Sequence, residues 1–156
     1  MKTIVYLDHP GHDGGKYELF RSINKVIEET LEEVSIAPID ITHKVIDLQC
    51  AINNVAEISN FSDGVIIADT IENAEEILSC KNNSLKVLYL YDIDWYSKLH
   101  DYEKIYDILN NPNLMIFTRS NGHAEVVEHL CGRKVDGILK DFDLEKLWNL
   151  LKDTNK

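Results

Sequence analysis

The chain has 156 residues, 44% of them hydrophobic and 28% charged, with a formal net charge of −11 at pH 7. That length suits one domain with a substantial core, and the composition is that of an ordinary globular protein. A uniform negative field repels nucleic-acid backbones, which excludes a large phosphate-tracking surface but leaves room for a small local anion site.

Met1-Lys2-Thr3 runs directly into an apolar stretch of about five residues, too short for the core of a signal peptide. No apolar run approaches the ~20 residues of a membrane span. Cys50, Cys80 and Cys131 are widely spaced and form no CxxC pair. They read as free thiols among apolar neighbours, not as metal ligands or a disulfide. These features predict a cytoplasmic protein.

In chain order, residues 3–7 read as a strand, followed by a Gly-rich loop and a helix over 15–33. That helix carries Leu19, Phe20, Ile23, Val26, Ile27 and Leu31 at helical spacing. Residues 34–41 predict a strand, with Pro38 pointing to an edge or an early end. Residues 46–58 predict a helix with Ile46, Cys50, Val55 and Ile58 inward. A buried strand follows over 64–68, then a helix over 73–80 capped by Asp69 or Thr70. The next strand, 85–90, ends in Tyr91-Asp92-Ile93-Asp94-Trp95. A helix over 101–110 must stop before Pro112. A strand over 114–118 leads to Ser120, which caps a helix ending at Gly132. A short strand over 137–139 and a helix over 144–151 complete the series. Six strands alternating with helices predict one three-layer, doubly wound, Rossmann-like α/β domain spanning 1–156, with a mostly parallel sheet.

Three strand-to-helix junctions carry chemistry. The first is Asp8-His9-Pro10-Gly11-His12-Asp13-Gly14-Gly15-Lys16. In doubly wound folds the ligand sits where the carboxyl end of a strand meets a helix start, whose N–H groups and partial positive charge favour an anion. A P-loop is excluded: the spacing to Lys16 is one residue short, and Tyr17 stands where Ser or Thr must reach magnesium. The dinucleotide fingerprint GxGxxG is absent. An anion or sugar site competes here with a plain structural turn. The second junction is Asp92-Ile93-Asp94-Trp95, where two carboxylates could hold a metal, orient a histidine or bind sugar hydroxyls. Trp95 offers a stacking face; the bland alternative is a solvated cap. The third is Phe117-Thr118-Arg119-Ser120-Asn121-Gly122-His123, for which N-capping by Ser120 is a sufficient account. A receiver-type phosphoacceptor domain needs an acidic pair after the first strand and a late lysine, of which Asp8 supplies only part.

By order of elements, the chain resembles the N-terminal lobe of two-lobed glycosyltransferases of the GT-B architecture. His9 to Gly15 is similar to their Gly-His loop, Phe117 to Asn121 to their strand ending at a serine, and Val135 to Leu147 to the stretch before their second lobe. The resemblance implies that His12 is the base that deprotonates the acceptor hydroxyl, oriented by Asp92 or alternatively Asp94. An imidazole can take a proton at neutral pH, and a carboxylate partner stabilises the resulting cation. It further implies that Gly14, Gly15 and Lys16 contact the diphosphate of a nucleotide-sugar donor, with Asp94, Trp95, Ser120 and Asn121 as further binding residues. The donor-binding lobe would follow Lys156, so the resemblance implies a partner subunit carrying the donor site, or self-association. The competing expectation is a non-catalytic binding or regulatory module.

Overall fold

The computed structural model of the chain describes residues 1–9, 14–40 and 47–154. Seven strands form one sheet: β1 (Thr3–Leu7), β2 (Val34–Pro38), β3 (Ala51–Ile52), β4 (Val65–Ala68), β5 (Leu85–Leu90), β6 (Leu114–Thr118) and β7 (Gly137–Ile138). Their order is β3-β2-β1-β4-β5-β6-β7, and every neighbouring pair is parallel. The helices are α1 (Gly14–Glu29), α2 (Ile71–Ser79), α3 (Tyr102–Leu109), α4 (Asn121–Cys131) and α5 (Leu144–Thr154). This is the Rossmann-like, three-layer arrangement the alternation predicts.

The period-two alternation of the strands sorts the core into two layers. Ile4 and Tyr6 of β1, Ile66 and Ala68 of β4, and Leu88 and Leu90 of β5 face one side, where α2, α3 and α4 cover them. Val5, Leu7, Val65, Ile67, Val87 and Tyr89 face the other, covered by α1 and α5. Each Val, Leu or Ile buried this way contributes about 1.5–3 kcal/mol relative to exposure. The second layer is pinned at its polar points. The Trp148 indole donates to Thr3 Oγ1 at 3.0 Å, and Ser22 Oγ accepts the first N–H of α5 at 3.3 Å.

Two expectations need correction. The described part of the stretch 46–58, from residue 47 on, is not a helix: Ala51–Ile52 pairs with Ser35–Ile36 as β3, and a 3₁₀ turn follows at Val55–Asn60. The open edge of β2 recruits this segment, with Asn53 N–H donating to Ile36 O at 2.8 Å. Asn54 then caps the turn; two adjacent asparagines favour such local bonds over helix continuation. Among the described residues the sheet therefore has seven strands, not six. Residues 41–46, including Ile46, lie outside the described residues. Second, α1 ends at Glu29 and Leu31 stands fully exposed beyond it. Thr30 Oγ1 donates back to Val26 O, and Glu28, Glu29, Glu32 and Glu33 crowd a helix end that disfavours negative charge.

Pro38 pairs with Leu7 of β1 but lies past the short pairing with β3. Ile39 N–H donates to Leu7 O on the β1 side, so by alternation the donorless Pro38 nitrogen faces the β3 side, beyond the two paired residues. The cap at Gly132 is as expected, with φ 68° in the left-handed region.

Asp141 and Phe142 also have left-handed backbone, φ 53° and 57°, which L-residues resist. Tyr89 holds this bend: its buried hydroxyl donates to Leu139 O at 2.7 Å and accepts from Phe142 N–H at 3.2 Å. Tyr89→Phe is expected to lower stability by about 1–3 kcal/mol, the cost of leaving buried polar groups unpaired. Chemical denaturation checks this, and an unchanged midpoint would refute it.

Candidate functional site

Doubly wound sheets bind ligands outside the carboxyl ends of the strands, where the strand order reverses. In this chain the reversal falls between β1 and β4. Asp8 directly follows β1, and Asp69 directly follows β4. Lys16, in the first turn of α1, projects between them. Its ammonium lies 2.9 Å from Asp8 Oδ1 and 3.8 Å from Asp69 Oδ2, with the lysine side chain 8% exposed and Asp69 13% exposed. Above this triad opens a cavity of about 500 Å³, lined also by Glu72, Glu76, Tyr89, Tyr91, Asp92 and Trp95.

The two carboxyls around Lys16 are tuned in opposite directions. Partial burial works to raise Asp8, but the Lys16 ammonium and the neighbouring His9 outweigh it, and the net shift is downward. Asp69 is more deeply placed. Desolvation dominates there, against the counter-pull of Lys16 and of the Asn73 amide, and lifts the carboxyl to about 7. Asn73 Nδ2 donates to Asp69 Oδ1 at 2.8 Å, while Asn73 N–H is taken by the true cap, Thr70 Oγ1, at 3.1 Å. Thr70 thus frees Asp69 from capping. Glu76, on the cavity wall, accepts from the buried Tyr6 hydroxyl at its Oε2.

The residues singled out from sequence fall into three groups. His12 lies outside the described residues, as does the side chain of Asp94, although Asp94 opens the 3₁₀ segment Asp94–Asp101. Gly15, Lys16, Asp92 and Trp95 all line the cavity. Gly14 opens α1, and the absent side chain of Gly15 is used by the protein itself. A Cβ there would stand 2.9 Å from Tyr91 Cδ1 and 3.3 Å from Tyr91 Cβ. Asp92 is 59% exposed, with Oδ1 3.8 Å from Arg119 Nη1, and the guanidinium stacks 4.5 Å from the centre of the Tyr91 ring. Trp95 is buried in the core layer beneath α2 and α3, with one edge in the cavity wall. Ser120 caps α4, accepting from His123 N–H, and exposed Asn121 follows it. Neither is among the residues lining the cavity.

Asp69 is the group that sequence reasoning placed as a cap and missed as chemistry. The signal was available: it occupies the same position after β4 that Asp8 holds after β1. Among the described residues, no group of three or more His, Cys, Asp or Glu could hold a metal ion, and no helix is long and apolar enough to cross a membrane.

Fold and site define an all-parallel Rossmann-like protein with a charged cavity at its switch point. No protein-family model, curated protein or solved structure matches the chain.

The tuning of Asp69 has a stability consequence. Its folded value of about 7 exceeds its ordinary 3.8, so between those values the native state holds a proton the unfolded chain has released. This group therefore costs stability as pH rises from about 4 to 7, by up to about 1.4 kcal/mol per pH unit. Asp8 acts oppositely, its contribution fading as pH falls through its lowered value. Asp69→Asn is expected to melt above the wild type at pH 8 and to lose that advantage by pH 4.5. Thermal unfolding across pH tests it; an advantage that grows toward acid would contradict it.

Proposed function

We propose that the chain is a glycosyltransferase-like cytoplasmic lobe that binds a hydroxyl-rich acceptor, with the donor site supplied by a partner chain or a second copy. The observation that carries this reading is the ionic lining of the cavity. Asp8, Asp69, Glu72, Glu76 and Asp92 stand there against Lys16, whose ammonium already bridges two of them. Carboxylates accept hydrogen bonds from sugar hydroxyls, and the Tyr91 ring gives the wall apolar surface for a sugar ring to pack on, whereas Trp95, buried in the core, contributes only an edge. A diphosphate entering the same space meets a net negative field. This weighs the acceptor role above the contact of Gly14, Gly15 and Lys16 with donor phosphates. The His12 base and its Asp92 orienter belong to the same reading.

A non-catalytic binding module is the second reading. It is favoured by the neutralisation of cations at this edge within the fold: Lys16 in the cavity by Asp8 and Asp69, and Arg119 near it beside Asp92.

Calorimetric titration of the purified chain with neutral saccharides, nucleotide sugars and free nucleotides, with and without magnesium or manganese, separates the two. The acceptor reading expects saturable, metal-independent binding of a neutral saccharide, weakened about tenfold by Asp92→Ala, the cost of one charge-assisted hydrogen bond. A nucleotide sugar binding more tightly than every neutral saccharide would move the donor site into this lobe. Silence from all three classes would favour the non-catalytic module.

A further inference from the structure

Resting on the acceptor reading, we propose that Asp69 is the proton acceptor of the switch-point cavity: its Oδ2 receives the proton of a bound sugar hydroxyl, so ligand capture switches on as Asp69 ionises. The geometry divides the work between the two carboxylate oxygens. Oδ1 is fixed by the Asn73 amide at 2.8 Å, and Asn73 is itself buried. Oδ2 lies on the Lys16 side at 3.8 Å, a separation longer than a hydrogen bond. Asp69 is a cavity-lining residue, and a hydroxyl lying against Oδ2 would have the Lys16 ammonium nearby to stabilise the oxygen as its proton leaves.

Charged neighbours from every packed element support a neutral-range ionisation. Asp8 after β1 opposes the charge on Asp69, and Lys16 from α1 favours it, as does the uncharged donor Asn73 from α2. Glu72 and Glu76 from α2, His9 after β1, Tyr89 of β5 and Tyr91 and Asp92 after it complete the titratable lining among the described residues, with Tyr6 of β1 bonded to Glu76 and His9 Nε2 3.5 Å from Asp8 Oδ2. Burial is the largest influence and leaves Asp69 half-ionised near pH 7. Asp8, held below its ordinary range, stays charged throughout. One carboxyl of the pair is thus a fixed counter-ion to Lys16, and the other is a group able to take and return a proton at neutral pH.

In glycosyl transfer Asp69 takes the role of base that the resemblance gives to His12, and the step balances. The hydroxyl proton moves to Asp69 Oδ2, and the oxygen's electron pair forms the bond to the anomeric carbon of a nucleotide sugar. The carbon–phosphate oxygen bond breaks, and its electrons leave on the nucleoside diphosphate.

Two measurements on the full chain test the assignment. In a carboxyl ¹³C NMR titration from pH 5 to 9, one resonance is expected to move with a midpoint near 7 and to be missing in Asp69→Asn. Asn73→Ser, which removes the donor to the carboxylate, should shift that midpoint upward. An Asp69 already ionised below pH 5 overturns the inference whatever the cavity binds. In the second, methyl glucoside and maltose are titrated at pH 5.5 and 8.5. Affinity is expected to rise more than tenfold with pH in the wild type and in Asp92→Ala, and to be flat and weak in Asp69→Asn. Equal wild-type affinities at the two pH values, or a pH dependence that survives Asp69→Asn, overturn it. If neither saccharide binds at either pH while Asp69 titrates near 7, the acceptor reading falls and Asp69 stands as a proton-exchanging group for a different ligand.

Discussion

The central strands of this protein are apolar on both faces, and much of the architecture follows from covering both. β1 and β4 are buried at every position, and β5 is buried from Lys86 onward. A strand with no solvated face cannot form half of a two-layer sandwich, so helices must lie on each side. Titratable groups are then largely displaced to the strand ends. Asp8 and Asp69 come directly after β1 and β4, and Asp92 two residues after β5. The polar edge of the molecule is the counterpart of its apolar middle.

That edge is given its character by one lysine. Burying the Lys16 ammonium is costly unless its charge is matched, and Asp8 at 2.9 Å supplies the closer match. Asp69 lies farther away and deeper, so desolvation outweighs the attraction and its carboxyl remains near neutrality. Two chemically identical side chains thus acquire different protonation behaviour from a difference of under one ångström in ion-pair distance together with unequal burial. This division of roles is a recurrent way for a site to hold both a fixed charge and a mobile proton.

Around the cavity, the fold spends conformational freedom to keep side chains in place. Gly15 exists in its present form because Tyr91 packs where a Cβ would be. Tyr91 in turn carries the Arg119 guanidinium on its face. The left-handed pair Asp141 and Phe142 is held by the Tyr89 hydroxyl, and Phe142 packs edge-on to the Tyr89 ring as part of the same wall. Loop, strand and bend therefore meet through Tyr89 and Tyr91, adjacent in space with ring centres 6.3 Å apart.

The sequence by itself determined the strands of the sheet centre, the helices that alternate with them, the Ser120 cap and the left-handed stop at Gly132. All of these depend on local periodicity or on the hydrogen-bonding and steric habits of one or two residues. It also placed the Lys16 and Asp92 loops on one edge, because strand-to-helix order alone fixes which ends of parallel strands lie together. Only the tertiary structure decided that Ala51–Ile52 is a strand, since two residues have no period and the choice rests on the open edge of β2. Only it separated Thr70 from Asp69 as the cap, gave Trp95 to the core and assigned Gly15 to Tyr91. The proton affinity of Asp69 belongs to the same class: it arises from burial, Lys16 and Asn73 acting through space, and no pattern along the chain encodes a sum of that kind.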